Sequence, residues 1–432
     1  MRLACGDSSV DFDFPEERVF CTLTSKETDT GAVRPVTELV EEAMDAPIGS
    51  KRLEEIVQPG ETVCILVSDV TRLWQHTAEY MPMLVNRLNA CGVPDENILV
   101  IAAVGTHRKQ KEEEFPLLVG EEIYRRVRVI NHDCDDTEHL RLVGETSRGN
   151  KVYLNSYAMD CDRLILTGGA VLHFIAGYGG GAKSIIPGIA SRDTVNYNHN
   201  FALNPGFGNG IHPNVHSGCA VGNPLREDID EGAAFAGVDF IVNVVANEKG
   251  EVIKAFAGEL YQAHRAACDF TEQLFAVDVE KRVPMVIVSA GGYPKDINLR
   301  QTSKALHNAL FVVEKGGTIV LFAECRDHFG DEQCREQVMD FVDMHQREAE
   351  LRKHFTIGGF IGFYFSSAAE DHHLILVTSM PKEWFKNTNV HVVSSAAEAL
   401  ALAKTLNGDA FDTMEAVVLP GGGSVLPIVK NS

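Results

Sequence analysis

The 432-residue sequence predicts an α/β protein of two domains with mainly parallel sheets. Two observations predict it. Short apolar, β-branched runs alternate with stretches of helical periodicity, and they do so in two separate series. Strands that are apolar throughout belong to parallel sheets covered on both faces, whereas half-exposed strands alternate polar and apolar residues. The length agrees, at about 150 residues per domain.

The first series is TVCILVS (62–68), NILVIAAV (97–104), VRVIN (127–131) and DRLILTGGAV (162–171). Between the first two, AEYMPMLVNRLNACG (78–92) repeats Met and Leu at helical spacing. The second series is VPMVIVSAGG (283–292), GGTIVLFAEC (316–325), HLILVTSM (373–380), NVHVVSS (389–395) and EAVVLPGGG (415–423). Its helices, TSKALHNALFVVEKGG (302–317) and SAAEALALAKTLNG (395–408), end in Gly, a common helix stop. The expected domains are 1–275 and 276–432, joined at the charged stretch DVEKRVP, with the last segment free to return to the first domain.

Composition narrows the function. Apolar residues make up 45% of the chain and the net charge is −22. That acidity, without a Lys/Arg-rich run, argues against nucleic acid and anionic membranes as partners. No apolar stretch reaches the ~18 residues of a membrane span. The N-terminus lacks the basic-then-apolar order of a signal peptide, so a cytoplasmic enzyme is expected. The ten cysteines form no CxxC pair, which disfavours a thiolate zinc site and suggests mostly buried thiols in a reducing compartment.

Three polar motifs follow predicted strands directly: SDVTR (68–72), GTHR (105–108) and GGAVLH (168–173). They place Asp69, Thr71, Arg72, His107, Arg108 and His173 on the sheet edge where open α/β folds bind ligands. Each loop alone reads better as turn chemistry, but three on one edge read as a site. The strongest local feature is HFIAGYGGGAKSIIPGIASRDTVNYNHN (173–200). Its glycines expose backbone N–H groups, and Lys183 within them suits a phosphate clamp or a nucleophile. A P-loop is the rival reading. Gly177 to Ser184 nearly meets its pattern, but Ala182 stands where the last glycine belongs, and LHFIA separates the glycines from their strand. His212 and His216 have i, i+4 spacing, yet Pro213 makes a zinc-holding helix doubtful. In the second half, GGYPKDINLRQTSKAL (291–306) follows a strand; a helix opening after Asn298 puts Gln301 and Lys304 on one face.

Taken together, SDVTR, GTHR, the GGAVLHFIAGYGGGAKSIIPG run, the later NHN and PKDINLRQTSK resemble the nickel-pincer lactate racemase family, over roughly residues 60–310. The resemblance implies two α/β domains with the active site in the interdomain cleft. It implies nickel within a nickel-pincer nucleotide, the Ni(II)-pyridinium-3,5-bisthiocarboxylic acid mononucleotide, made by separate cofactor-biosynthesis proteins. Lys183 would carry it covalently and His199 would complete the metal's coordination. Asp69, Val70, Thr71 and Arg72 would hold cofactor and substrate. His107 and His173 would be the acid/base pair, and Gln301 and Lys304 substrate contacts.

That chemistry suits these residue types. The C2 hydrogen of a 2-hydroxycarboxylate is a poor acid and leaves more easily as hydride while the hydroxyl loses its proton. A bound acceptor takes the hydride, and one base per enantiomer serves both directions. Arg72 and Lys304 would hold the planar carboxylate. Two departures bear on substrate. Arg300 stands where an aromatic residue is expected, so it would either admit a second carboxylate, as in malate, or turn to solvent or to Asp296. LWQH (73–76) follows Arg72 in place of Pro, so that Trp74 or His76 would reshape the pocket. The aromatic run FTIGGFIGFYFSS (355–367) reads as core.

Overall fold

The computed structural model describes residues 1–25 and 34–430 and divides into two compact units. One unit holds a six-stranded sheet in the order Val252–Gly258, Phe240–Ala246, Arg163–Gly169, Val63–Val67, Ile98–Ala102, Arg128–Asn131. All neighbours are parallel except the first pair. The central strand Val63–Val67 is buried at every position, as its apolar sequence requires. Helices Val36–Asp45 and Thr77–Ala90 pack Val40, Met44, Tyr80, Met81 and Leu84 into the core on one face. From Val63–Val67 the chain adds Ile98–Ala102 on one side and Arg163–Gly169 on the other. This reversal is a topological switch point, and the crevice lies at the carboxyl ends of those strands.

The other unit has an all-parallel sheet in the order His391–Val393, His373–Val377, Val313–Phe322, Val283–Ser289, Ala416–Leu419, Val19–Thr22. The chain passes into this unit at Leu274/Phe275, beside the expected division, but two earlier segments belong to it as well. Val19–Thr22 pairs with Ala416–Leu419, so the N-terminal strands belong to this unit. Leu203–His212 also joins it, anchored where Arg352 donates to the Asn204 and Gly206 carbonyls at 2.8 Å. The final strand Leu426–Val429 pairs with Ala276–Val279 and stays in the same unit. The aromatic run forms helix Ile357–Asp371, with Phe360, Phe363 and Phe365 in the core. No helix among the described residues is long and apolar enough to cross a membrane. All ten cysteines are free thiols; five are buried, fewer than expected.

Candidate active site

Asp69 ends the central strand's loop and caps the short turn Val70–Gln75, accepting the Thr71 amide at 2.8 Å and the Thr71 hydroxyl. Its other oxygen lies 2.7 Å from His107 Nδ1. Burial alone would raise the Asp69 carboxyl. The hydrogen bonds from His107 and Thr71, with the nearby His107 and Arg72 charges, outweigh it and hold the carboxyl at about 2. Ionised Asp69 fixes the proton on Nδ1 of His107 and leaves the lone pair on Nε2. The His107 loop is itself tied down, because Gly105 donates to the Gly188 carbonyl at 2.9 Å. Arg72 Nη1 donates to the Thr71 hydroxyl at 2.6 Å. Val70 spends its side chain on the core, so only its backbone faces the loop's hydrogen bonds, donating to Gln110 at 3.3 Å.

His173 stands on a two-strand hairpin, Leu172–His173 against Gly177–Tyr178. Its Nδ1 accepts the Ile175 and Ala176 amides at 3.4 and 3.2 Å. A neutral ring with an accepting Nδ1 carries its proton on Nε2. That nitrogen lies 2.8 Å from Lys183 Nζ, so it donates to the amine, and only an uncharged amine can accept. Burial first, then the Arg72 and Arg226 charges, push the Lys183 amine down to about 7. Both lines of reasoning give the form of lysine that acts as a nucleophile.

His199 closes helix Arg192–His199, which is capped at its start by Ser191. Its Nδ1 donates to the Val195 carbonyl at 2.7 Å, which places the lone pair on Nε2. Burial and the Lys183 charge push this imidazole down to about 4, against the Val195 bond. A buried neutral imidazole with a fixed tautomer is the form that ligates a metal.

The glycine segment is not a P-loop. Strand Arg163–Gly169 leads into the hairpin, then into a 3-10 turn Gly181–Ser184, and no α-helix follows directly. Gly180 has φ 75° and ψ −175°, and a Cβ there would come 2.6 Å from Asn243 Oδ1. Gly180→Ala should therefore lower unfolding free energy by roughly 1–3 kcal/mol, read from thermal melts. Asn243 Oδ1 accepts the Gly181 amide at 2.9 Å. The motif reading missed Asn243. Its signal was a lone amide inside the apolar strand FIVNVVA (240–246).

Trp74 lies over Gly169, where a Cβ would meet the indole at 2.5 Å. A cavity of about 220 Å³ beside Asp69 and Arg72 is lined instead by Ser68, His76, Leu117 and Leu118 among others. His212 and His216 lie outside any helix. In the other unit, Asn298 caps helix Leu299–Val312, and Lys304 Nζ donates to Gln301 Oε1 at 3.0 Å on its accessible face. Arg300 lies 3.6 Å from Asp331, not against Asp296, which instead accepts the Gly6 and Glu324 amides.

The fold and site define a two-domain α/β enzyme with a histidine–carboxylate pair and a lysine held against a second histidine at a switch point. Residues 5–210 match the lactate racemase N-terminal domain and residues 279–427 the lactate racemase C-terminal domain. The chain is 30% identical to the lactate racemase of Thermoanaerobacterium thermosaccharolyticum, covering 98% of this chain and 97% of that protein. It is 31% identical to the lactate racemase of Lactiplantibacillus plantarum, over 90% of each. The T. thermosaccharolyticum apoprotein structure superposes with a TM-score of 0.86 at 28% identity, covering 99% of both chains. A Thermotoga maritima protein, 21% identical, shares the fold with a TM-score of 0.62 over 93% of this chain and 99% of that one. The chain belongs to the lactate racemase family, and it is an isomerase.

Proposed function

We propose that this chain inverts C2 of a 2-hydroxy acid, with lactate as the substrate, and that it does so with a nickel-pincer nucleotide attached to Lys183. The observation that carries the reading is the complementary state of two histidines beyond the carboxyl ends of Ile98–Ala102 and Arg163–Gly169, the strands that flank Val63–Val67. His107 has its proton held on Nδ1 by Asp69 and offers a lone pair, whereas His173 offers a proton from Nε2. Inverting a carbinol centre needs both: one group to take the hydroxyl proton, another to return one on the opposite side.

The residues also fit the cofactor. Lys183 is uncharged enough to form a covalent link, and His199 is a neutral buried imidazole. When bound, the nickel-pincer nucleotide supplies an acceptor and donor of the substrate's C2 hydride. The protein's own part is the rest. Lys183 would hold the nucleotide, His199 would ligate nickel, and Asp69 and Thr71 would keep the binding turn in shape. Arg72 would hold the substrate carboxylate, and Gln301 and Lys304 would be further substrate contacts.

Arg300 decides between lactate and malate. Its guanidinium lies 3.6 Å from the Asp331 carboxylate, and that partner charge favours a substrate with one carboxylate. Chiral chromatography of the nickel-pincer-loaded protein with single enantiomers tests this. Inversion of lactate, with malate at least about 10-fold slower, is expected, since an unpaired second carboxylate costs over 1.4 kcal/mol to desolvate. Faster inversion of malate would overturn the assignment and return Arg300 to the pocket. No inversion of either acid would overturn the substrate class.

A further inference from the structure

The glycine segment that carries Lys183 is gripped by side chains from outside both family-matched ranges. Residues 211–278 lie between those ranges. Within them, helix Pro224–Ala234 contributes Arg226, strand Phe240–Ala246 contributes Asn243, and helix Leu260–Phe275 contributes His264. Arg226 is buried, and its Nη1 donates to the Tyr178 carbonyl at 3.3 Å. His264 is also buried, and its Nε2 donates to the Gly179 carbonyl at 2.7 Å. Arg226 Nη2 donates to His264 Nδ1 at 3.2 Å.

These contacts form one directed chain. A guanidinium has donors only, so Nδ1 of His264 must accept from it, and the ring proton must then sit on Nε2. From there it can only donate, and the Gly179 carbonyl receives it. The hydrogen bond to Nδ1 is charge-assisted and polarises the next one. Asp230, 2.9 Å from Arg226 Nε, holds the far side of the guanidinium. Asn243 takes the Gly181 amide, so three elements fix Tyr178, Gly179 and Gly181 within one stretch of backbone. Gly181 has φ 56°, and a Cβ there would lie 2.6 Å from the His264 ring.

We propose that Arg226 and His264 are positioning residues for the reaction: a locked guanidinium–imidazole pair that holds the Tyr178–Gly181 backbone and so aims Lys183 at the cofactor. The proposal rests on the role assigned to Lys183 above. Burial and the Arg226 charge push the His264 imidazole down to about 3, so the ring keeps its neutral, donating form across the working pH range. The Cys268 thiol lies 3.5 Å from Nε2 and covers the ring without adding charge.

Amide hydrogen exchange of the protein as isolated tests the grip without cofactor or substrate. His264→Leu should speed exchange in residues 177–185 by about 10-fold or more while strands Val63–Val67 and Val283–Ser289 stay protected. His264→Gln, whose amide can still donate to Gly179, should stay within about 3-fold of wild type. Arg226→Met, which leaves the ring but frees its tautomer, should loosen the same segment, and Arg226→Lys should not. In the loaded enzyme, His264→Leu should lower kcat about 10-fold or more with KM nearly unchanged, because no substrate contact is removed. Unchanged exchange in both His264→Leu and Arg226→Met would overturn the proposal. So would loosening spread evenly over all peptides, or a Gln variant as loose as the Leu variant. A chain that failed to racemise would leave the exchange result standing, so the two failures are distinguishable.

Discussion

Lys183→Met should abolish racemisation and, at neutral pH, make the protein more stable. Both effects come from the same placement. The amine sits against His173 Nε2 with the Arg72 and Arg226 charges nearby, and it is pushed from its ordinary 10.5 down to about 7. Methionine keeps the unbranched length and loses the nitrogen. Without a nucleophile the covalent link cannot form, and kcat should fall by about 10³-fold or more. Lys183→Arg should be equally inactive, because a guanidinium does not give up its proton. Mass spectrometry of the loaded proteins should show the adduct on wild type alone.

The stability change follows from linkage. The folded pKa lies below the unfolded one, so between pH 7 and 10.5 the unfolded chain binds more protons, and stability rises with pH across that window. Below pH 7 the full penalty of confining the amine is present. Removing it should stabilise by about 2–4 kcal/mol at pH 6 and by little at pH 10. Urea unfolding at the two pH values measures this. An equal gain at both would mean that methionine packs better and that the amine is not depressed. A loss at pH 6 would mean that the His173 contact outweighs the burial.

The central strands and the loops after them were legible in the sequence because burial on both faces writes itself as an unbroken apolar run. Asp69, His107 and His173 could be placed on one edge for the same reason. Gln301 and Lys304 were legible through the Asn298 cap and their spacing. Long-range pairing was not. Val19–Thr22 lies nearly 400 residues from the strand it joins, and nothing local distinguishes it from a strand of the nearer sheet. The antiparallel edge strand Val252–Gly258 has a weak pattern, since an edge is half solvated. Arg300 and Asp331 are 31 residues apart, so only the fold reveals that the cation faces a carboxylate. Arg226 and His264 sit in ordinary amphipathic helices. Their meaning lies in the carbonyls they reach, which no spacing rule encodes.

Asp69→Asn should lower kcat by roughly 10²–10⁴-fold while leaving the protein folded and KM little changed. The direction follows from where the two carboxylate oxygens point. One accepts the Thr71 amide at 2.8 Å, and a donor at that position would face a donor. The asparagine must therefore keep its oxygen on Thr71 and turn its NH₂ toward His107. That NH₂ needs an acceptor, so Nδ1 of His107 gives up its proton and Nε2 takes it. The ring would then offer a proton where it should offer a lone pair, and both histidines would be acids. Arg72 keeps its bond to the Thr71 hydroxyl, so binding of the carboxylate is preserved. Stability should fall as well. The Asp69 carboxyl is held at about 2 against an ordinary 3.8, a difference worth about 2 kcal/mol. The folded pKa is the lower one, so this contribution is present above pH 4 and is lost as pH falls toward 2. Wild type and variant should therefore differ at pH 7 and converge in acid. A variant that kept kcat would remove His107 from the acid/base pair. One that lost only KM would make Asp69 a binding residue, and the complementary state of the two histidines would no longer support inversion.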